Sequence, residues 1–91
     1  MKHVFLIATG DEDTFLAENY SGEELIILVV APKHGLAGEL ESRLEKMRGK
    51  AEELSLKLAP RGVPNRVLLE WGDPREALEN CLNREGAIPL E

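Results

Sequence analysis

The sequence predicts a small α/β domain in which helices flank a parallel sheet, with elements in the order βαβαβα(β). Two runs, residues 3–9 and 25–31, contain no Asp, Glu, Lys or Arg and have the length of buried strands. A turn and a segment of helical character follow each run, and this alternation is typical of a parallel sheet covered by helices. We therefore expect residues 1–91 to form a single domain with a core of modest size.

The first strand is predicted over residues 3–9 because this run is apolar on both faces. A turn of glycine and acidic residues follows at 10–13. Residues 14–20 are expected to form two helical turns, with Asp13 or Thr14 as the cap. Three side chains are expected to supply the apolar contacts of this helix: Phe15, Leu16 and Ala17.

Residues 25–31 are the strongest strand signal, being rich in β-branched residues, and we expect burial on both faces. A long helix is predicted over 36–59. Its apolar residues recur at spacings of four and three: Leu40, Leu44, Met47, Ala51, Leu54 and Leu58. Such a seam occurs in coiled coils, but strands flank this one, so we expect it to pack on the sheet. Three ion pairs are expected on the solvent side: Glu39–Arg43, Arg48–Glu52 and Glu53–Lys57.

Val67, Leu68 and Leu69 form a short apolar run that suits a third, buried strand, which Gly72 ends. A third helix is predicted from Pro74 to about Arg84. Its signals are Asp73 as the cap, Pro74 at the first position, Glu76 in the first turn and Gly86 at the end. Its apolar face is expected to comprise Ala77, Leu78, Cys81 and Leu82. Residues 87–91 suit a short terminal strand, and Pro89 favours either an edge position or a loose tail.

Composition narrows the classes of partner. The net charge of −6 argues against nucleic acid and anionic lipid, which require a basic surface. No apolar run approaches 18 residues, so we expect no membrane span, and the acidic residues 11–13 do not fit a signal peptide. The single Cys81, expected to be buried, fits a cytoplasmic protein. The absence of glutamine is typical of thermophilic proteins, although a GC-rich genome also produces it.

Residues 71–78, Trp-Gly-Asp-Pro-Arg-Glu-Ala-Leu, carry a family resemblance. They resemble the universal stress protein family, in which a strand ends in Gly-Asp-Pro and a helix then begins with an acid, alanine and an aliphatic residue. The second strand, ending in Val-Val-Ala-Pro, and the long charged helix ending near Gly62 agree with the order of that family. The resemblance covers nearly all of residues 3–88. It implies the adenine-nucleotide alpha-hydrolase-like fold and a role in stress response.

The sequence departs from the family's pattern in two places. It stops at Glu91, before the glycine-rich phosphate loop, the fourth helix and the fifth strand, so it resembles a member truncated at the C-terminus. The acid that contacts nucleotide in the nucleotide-binding branch corresponds here to a displaced residue, Asp11. ATP is the one cofactor that the resemblance implies, and no catalytic residue or metal ligand is assigned. The nucleotide-binding edge would comprise Gly10, Asp11, Val30, Pro32 and His34.

Several residues at this edge have both a structural and a functional interpretation. Asp11, Glu12 and Asp13 can gather a divalent cation, but turn formation and helix capping also explain them. His34 is either a solvated loop residue or part of a ligand site. Trp71 is either a packing or interface residue or a platform for adenine.

We expect a non-enzymatic domain that acts in stress response or regulation by self-association or by binding an unidentified protein. Without the family's later strands, the first strand's side of the sheet is poorly covered, and either the terminal strand at 87–91 or a second copy is expected to cover it. A homodimer is predicted because of this incomplete sheet and the small core. Two alternatives remain. One is an adenine-nucleotide sensor that uses the edge at Gly10–Asp11 and Pro32–Gly35. The other is a metal- or phosphate-dependent enzyme built on Asp11 and Asp13.

Overall fold

The computed structural model describes residues 1–35 and 37–90. The elements in chain order are β1 (Lys2–Ile7), α1 (Phe15–Glu18), β2 (Glu24–Ala31), α2 (Ala37–Leu58), a 3-10 turn (Ala59–Arg61), β3 (Asn65–Trp71), α3 (Pro74–Glu85) and β4 (Ile88–Pro89). The predicted order is confirmed. Leu36, the predicted start of the long helix, and Glu91, in the predicted terminal strand, lie outside the described residues. No helix within those ranges is long and apolar enough to cross a bilayer.

The four strands form one parallel sheet with the spatial order β3-β2-β1-β4, which confirms the predicted α/β class. Ile88 and Pro89 of β4 pair with β1, so the predicted terminal strand covers the side of β1 that β2 leaves open. Pro89 lies at an edge, where its missing N–H breaks no ladder. β3 forms the opposite edge of this sheet.

The core has two layers because successive residues of a strand point to opposite faces of the sheet. The layer beneath α1 and α2 contains Phe5, Ile7, Ala17, Tyr20, Leu25, Ile27, Val29, Ala31, Met47, Ala51, Leu54 and Leu58. The layer beneath α3 contains Val4, Ile26, Leu28, Val30, Cys81 and Ala87. β2 contributes to both layers and is buried from Leu25 to Ala31, as predicted.

The long helix α2 packs on the sheet as predicted. The later residues of its apolar seam, from Met47 to Leu58, are buried, and Leu44 packs against the same core. Of the three expected ion pairs, Glu53–Lys57 forms at 3.3 Å, and the other two are not among the ion pairs of the described residues. The apolar seam is therefore the surface by which α2 packs on the sheet. The expected ion pair that forms on its solvent side contributes little to stability.

The turn and helix after β3 form as their signals predict. The Asp73 carboxylate accepts a hydrogen bond from the backbone N–H of Glu76 at 3.2 Å, which caps α3. Gly86 ends the helix with a φ of +63°, a left-handed conformation that glycine adopts without a steric penalty. The predicted apolar face of α3, including the fully buried Cys81, packs against the sheet.

The first helix is shorter than predicted. α1 spans only Phe15–Glu18, and of the three side chains expected to pack, only Ala17 is buried while Phe15 and Leu16 are exposed. Local hydrogen bonds dominate here, because Asp13 Oδ1 accepts the N–H of Phe15 and Thr14 Oγ1 donates to Glu18. Thr14 is the N-cap residue, but its side chain makes no capping hydrogen bond. Local bonds of this kind favour a single turn over a longer helix.

The prediction that the third strand is buried is wrong. Val67 and Leu69 are 45% and 42% exposed, and Leu68 is half-buried. β3 lies at the sheet edge, and the core beneath α2 takes its strand residues from β1 and β2. A short apolar run cannot distinguish a central strand from an edge strand, because either can carry the same residues. The outcome is a set of apolar side chains exposed to solvent at the edge.

Candidate functional site

The residues predicted to form one nucleotide edge lie in three different settings. Gly10 and Asp11 follow β1, next to α2. Pro32 and His34 follow β2 and line an open groove beside β3. Val30 is 1% exposed and lies in the core beneath α3, so its side chain does not reach the surface.

The turn after β1 is folded around the carboxylate of Glu12. Oε2 accepts the backbone N–H of Ala8 at 2.8 Å and of Thr9 at 2.9 Å, and Oε1 accepts that of Gly10 at 2.9 Å. Converging backbone N–H groups form an anion-binding concavity. Here the chain supplies the anion, because the carboxylate occupies the donors that a phosphate at Gly10 would use.

Two opposing effects act on the pKa of Glu12. Partial burial of the carboxyl raises its pKa, whereas the hydrogen bonds from the N–H groups of Ala8, Thr9 and Gly10 lower it. The net result is a pKa below the ordinary value for glutamate. Glu12 is therefore ionised at neutral pH and holds the turn together. This role was not predicted from the sequence, where Glu12 stands among acidic neighbours. Its position two residues after Gly10 is the signal that points to it.

Gly10 and Asp11 are both engaged with α2. The Asp11 carboxylate pairs with Lys46 Nζ at 2.6 Å. Gly10 is buried with a φ of +93°, and a Cβ at this position would lie 2.8 Å from Cγ of Lys46. Glycine is required here because the lysine stem crosses directly over the turn. Asp13 has a separate partner in the N–H of Phe15, so each of the two acids proposed for an enzyme is used in a different local contact.

An open groove of about 700 Å³ lies at the carboxyl ends of β2 and β3. Its lining includes Pro32, Lys33, His34, Trp71 and the turn at Gly72. Trp71 is 51% exposed, and Lys33 and His34 are exposed as well. Grooves at the carboxyl ends of parallel strands are common ligand sites. Asp73 and Glu76 line the same groove, so the aromatic ring and the two basic side chains share it with two acidic residues.

A second exposed feature is an apolar surface on β3, which we call the β3 surface and define as Val67, Leu69, Trp71 and Leu56 of α2. The three strand residues lie on the sheet face that α2 packs against, because they pair with Ile27, Val29 and Ala31 of the core beneath α2. Leu56 is 73% exposed and lines a shallow depression with Val67. α2 also contacts β3, but it leaves these three strand side chains about half exposed to solvent.

The β3 surface borders a strand edge with unpaired backbone groups. Gly72 N–H donates to Ala31 O at 2.9 Å, and Pro64 O accepts from Leu25 N–H at 2.9 Å. Even-numbered residues of β3 therefore direct their N–H and C=O groups toward β2. Since these groups alternate along a strand, those of Asn65, Val67, Leu69 and Trp71 point away from the sheet. The edge offers a row of donors and acceptors to another strand.

The opposite face of the sheet, against which α3 packs, carries two charged side chains of opposite sign near the middle of this edge. They belong to Arg66 and Glu70. Arg66 binds Glu85 and also Glu24, the latter at 3.0 Å, and hydrogen bonding to Arg66 lowers the pKa of Glu85 below its ordinary value. Glu70 lies 3.5 Å from Arg84. The Arg66 and Glu70 side chains remain 41% and 40% exposed, so both reach solvent beside the edge.

Comparisons of this chain with protein-family models, with curated protein sequences and with solved structures found no match.

Proposed function

We propose that this chain is a non-enzymatic association module, a universal-stress-protein-like domain that acts in the cytoplasm, in stress response or regulation, through self-association. The observation that carries the proposal is the β3 surface: Val67, Leu69 and Trp71 project from an unpaired strand edge, with Leu56 beside them. The family part of the proposal is supported by the capped Gly-Asp-Pro turn at residues 72–74 and by the parallel strand–helix order.

The physical reason for association is the removal of these side chains from water. Covering a half-exposed valine, leucine or tryptophan side chain contributes about 1 kcal/mol, before the loss of rotational and translational freedom is subtracted. The free edge adds backbone hydrogen bonds if the covering element is a strand. In the described part of the chain, no other element combines exposed apolar side chains with unpaired backbone groups over such a length.

Replacing Leu69 with lysine tests this proposal. Leu69 is 42% exposed on the edge strand, so we expect Leu69→Lys to fold normally but to lose association, because a charge is then desolvated in the contact. Light scattering after size exclusion should give the 10.1 kDa mass of one chain for this variant, and a larger mass for the unmodified protein at high micromolar concentration.

The matched control is Leu16→Lys, which changes a leucine that is 51% exposed on α1, away from β3. We expect it to associate like the unmodified protein. Equal loss of association in both variants, or an unmodified protein that stays at the mass of one chain, would contradict the proposal.

A second candidate function is an adenine-nucleotide sensor, favoured by the groove that places Trp71 next to Lys33 and His34. The indole can stack on a base and the two basic side chains can face phosphate groups. This candidate predicts a saturable change in Trp71 fluorescence on titration with ATP. It also predicts that Lys33→Ala weakens binding about tenfold, while Lys50→Ala, on α2, does not. Fluorescence that stays constant up to millimolar ATP would exclude nucleotide binding in this groove.

A further inference from the structure

We propose that two copies of this chain join edge to edge through β3, running antiparallel about a two-fold axis at Leu68, so that their sheets become one continuous sheet. This inference rests on the proposed association function. It names the partner as a second copy and specifies the pairing of the two strands.

The edge of β3 has the length and regularity that strand addition requires. Its seven residues, Asn65–Trp71, pair in unbroken register with β2, without a bulge. The strand contains no proline and no residue with positive φ. Natural edge strands are commonly shortened, bulged or blocked by lysine or proline, so an edge of this length and regularity suits a partner strand.

The direction of the backbone groups limits the pairing. Only the odd-numbered residues of β3 offer N–H and C=O groups to a partner, so an antiparallel pair must place odd residues opposite odd residues. An axis at Leu68 satisfies this condition. Val67 then lies opposite the partner's Leu69, and Asn65 opposite the partner's Trp71, and each such pair exchanges two backbone hydrogen bonds.

The charges distinguish this register from its neighbours. With the axis at Leu68, Arg66 lies opposite the partner's Glu70, and by symmetry Glu70 lies opposite the partner's Arg66. Shifting the axis to Val67 or to Leu69 also satisfies the backbone but places Arg66 opposite Leu68 or Gly72. Opposite charges on directly facing residues stabilise an antiparallel pair, and like charges destabilise it. The sequence around Leu68 is therefore self-complementary in charge.

The apolar side chains of the two copies also meet in this pairing. Val67, Leu69 and Trp71 lie on the α2-packing face of the sheet, and the same residues of the partner continue this face across the axis. The β3 surfaces of the two copies thus become one larger apolar area, with Leu56 of each α2 at its border. A two-fold contact of this kind uses the same patch on both copies and closes without leaving a free β3 edge.

Mixing two charge-reversal variants tests the register. Arg66→Glu places glutamate opposite the partner's Glu70, and Glu70→Arg places arginine opposite the partner's Arg66. We expect either change alone to raise the dimer dissociation constant about tenfold. In an equimolar mixture, both facing pairs again have opposite charge. Sedimentation velocity should then show a heterodimer whose dissociation constant is within about threefold of that of the unmodified homodimer.

This design separates the interface from the intrachain pairs. Arg66 also contacts Glu24 and Glu85, and Glu70 contacts Arg84, and mixing the two variants restores none of these contacts. Recovery in the mixture therefore reports facing residues of different copies. Amide hydrogen exchange on the unmodified protein gives an independent readout if a variant folds poorly. The outward N–H groups of Val67 and Leu69 should become protected as the concentration rises through the dimer range.

The outcomes distinguish the two proposals. Heterodimer recovery together with protection of the β3 amides supports the pairing. A concentration-dependent dimer whose β3 amides exchange freely, or variants whose mixture remains as weak as each alone, overturns the pairing and leaves self-association through another contact. An unmodified protein that is monomeric at every concentration overturns both.

Discussion

Leu28→Ala is expected to lower the free energy of unfolding by about 3 kcal/mol, because it leaves a cavity in the centre of the sheet. Leu28 is 0% exposed, lies in the interior strand β2, and packs in the core beneath α3. A loss of this size is a large fraction of the stability of a small domain, commonly about 5 kcal/mol or a little more. Urea denaturation followed by circular dichroism, at a concentration below the dimer range, measures the change.

The control for this prediction is Leu69→Ala, which removes the same atoms from the edge strand. Leu69 is 42% exposed, so in the monomer we expect a loss below about 1 kcal/mol. Equal losses at the two positions would mean that β3 is as buried as β2, and would contradict the exposed β3 surface on which the proposed function depends.

The contrast between these two leucines shows what the sequence could predict. The seven uncharged residues 25–31 indicated a strand covered on both faces, and β2 is buried over this length. Val67, Leu68 and Leu69 gave the same apolar signal over a shorter run, but the strand lies at the edge. Which faces of an apolar run are covered depends on strand order and on where α2 crosses the sheet, and both are tertiary properties.

Glu12→Gln is expected to destabilise the protein by about 2 kcal/mol at neutral pH. Gln can keep one oxygen acceptor, but its amide NH₂ group replaces the other oxygen and meets a backbone N–H that then has no acceptor. The three hydrogen bonds to a charged group involve Ala8, Thr9 and Gly10. The expected loss is well below three times the value of one buried charged bond, because the carboxylate is partly exposed to solvent.

The pH dependence of this loss follows from the lowered pKa of Glu12 in the folded state. The stabilisation is fully present above the pKa of the unfolded chain, close to the ordinary value of 4.5, and is lost as the pH falls through the lower folded-state pKa. The difference in stability between the unmodified protein and Glu12→Gln should therefore be constant near neutrality and shrink below about pH 4.5.

Glu79→Gln, an exposed glutamate on α3, is the control for this comparison and should change stability by less than about 0.5 kcal/mol. Thermal unfolding across a pH series measures all three proteins. A difference for Glu12→Gln that grows as the pH falls, or that matches Glu79→Gln at neutral pH, would contradict the role assigned to Glu12.

Features that depend on neighbouring residues could be predicted from this sequence, whereas features that depend on distant residues could not. The cap at Asp73 and the end at Gly86 depend on residues within one turn of each other, and both form as predicted. The candidate site depends on elements that meet only in the fold. Lys46 of α2 covers Gly10 and pairs with Asp11, and nothing near these two residues in the sequence indicates that contact.

The sequence places Arg66 and Glu70 two residues on either side of Leu68. This charge pattern predicts pairing with a partner strand only if β3 lies at an edge, because a central strand has no free side. The groove beside Trp71 likewise arises from the ends of two strands that are separated by the whole of α2.

Sedimentation equilibrium of the unmodified protein, from low to high micromolar concentration, is the measurement to make first. The proposed association predicts a mass that rises from 10.1 kDa toward twice this value and fits a reversible monomer–dimer equilibrium. A mass that stays at 10.1 kDa over the whole range would contradict self-association through the β3 surface.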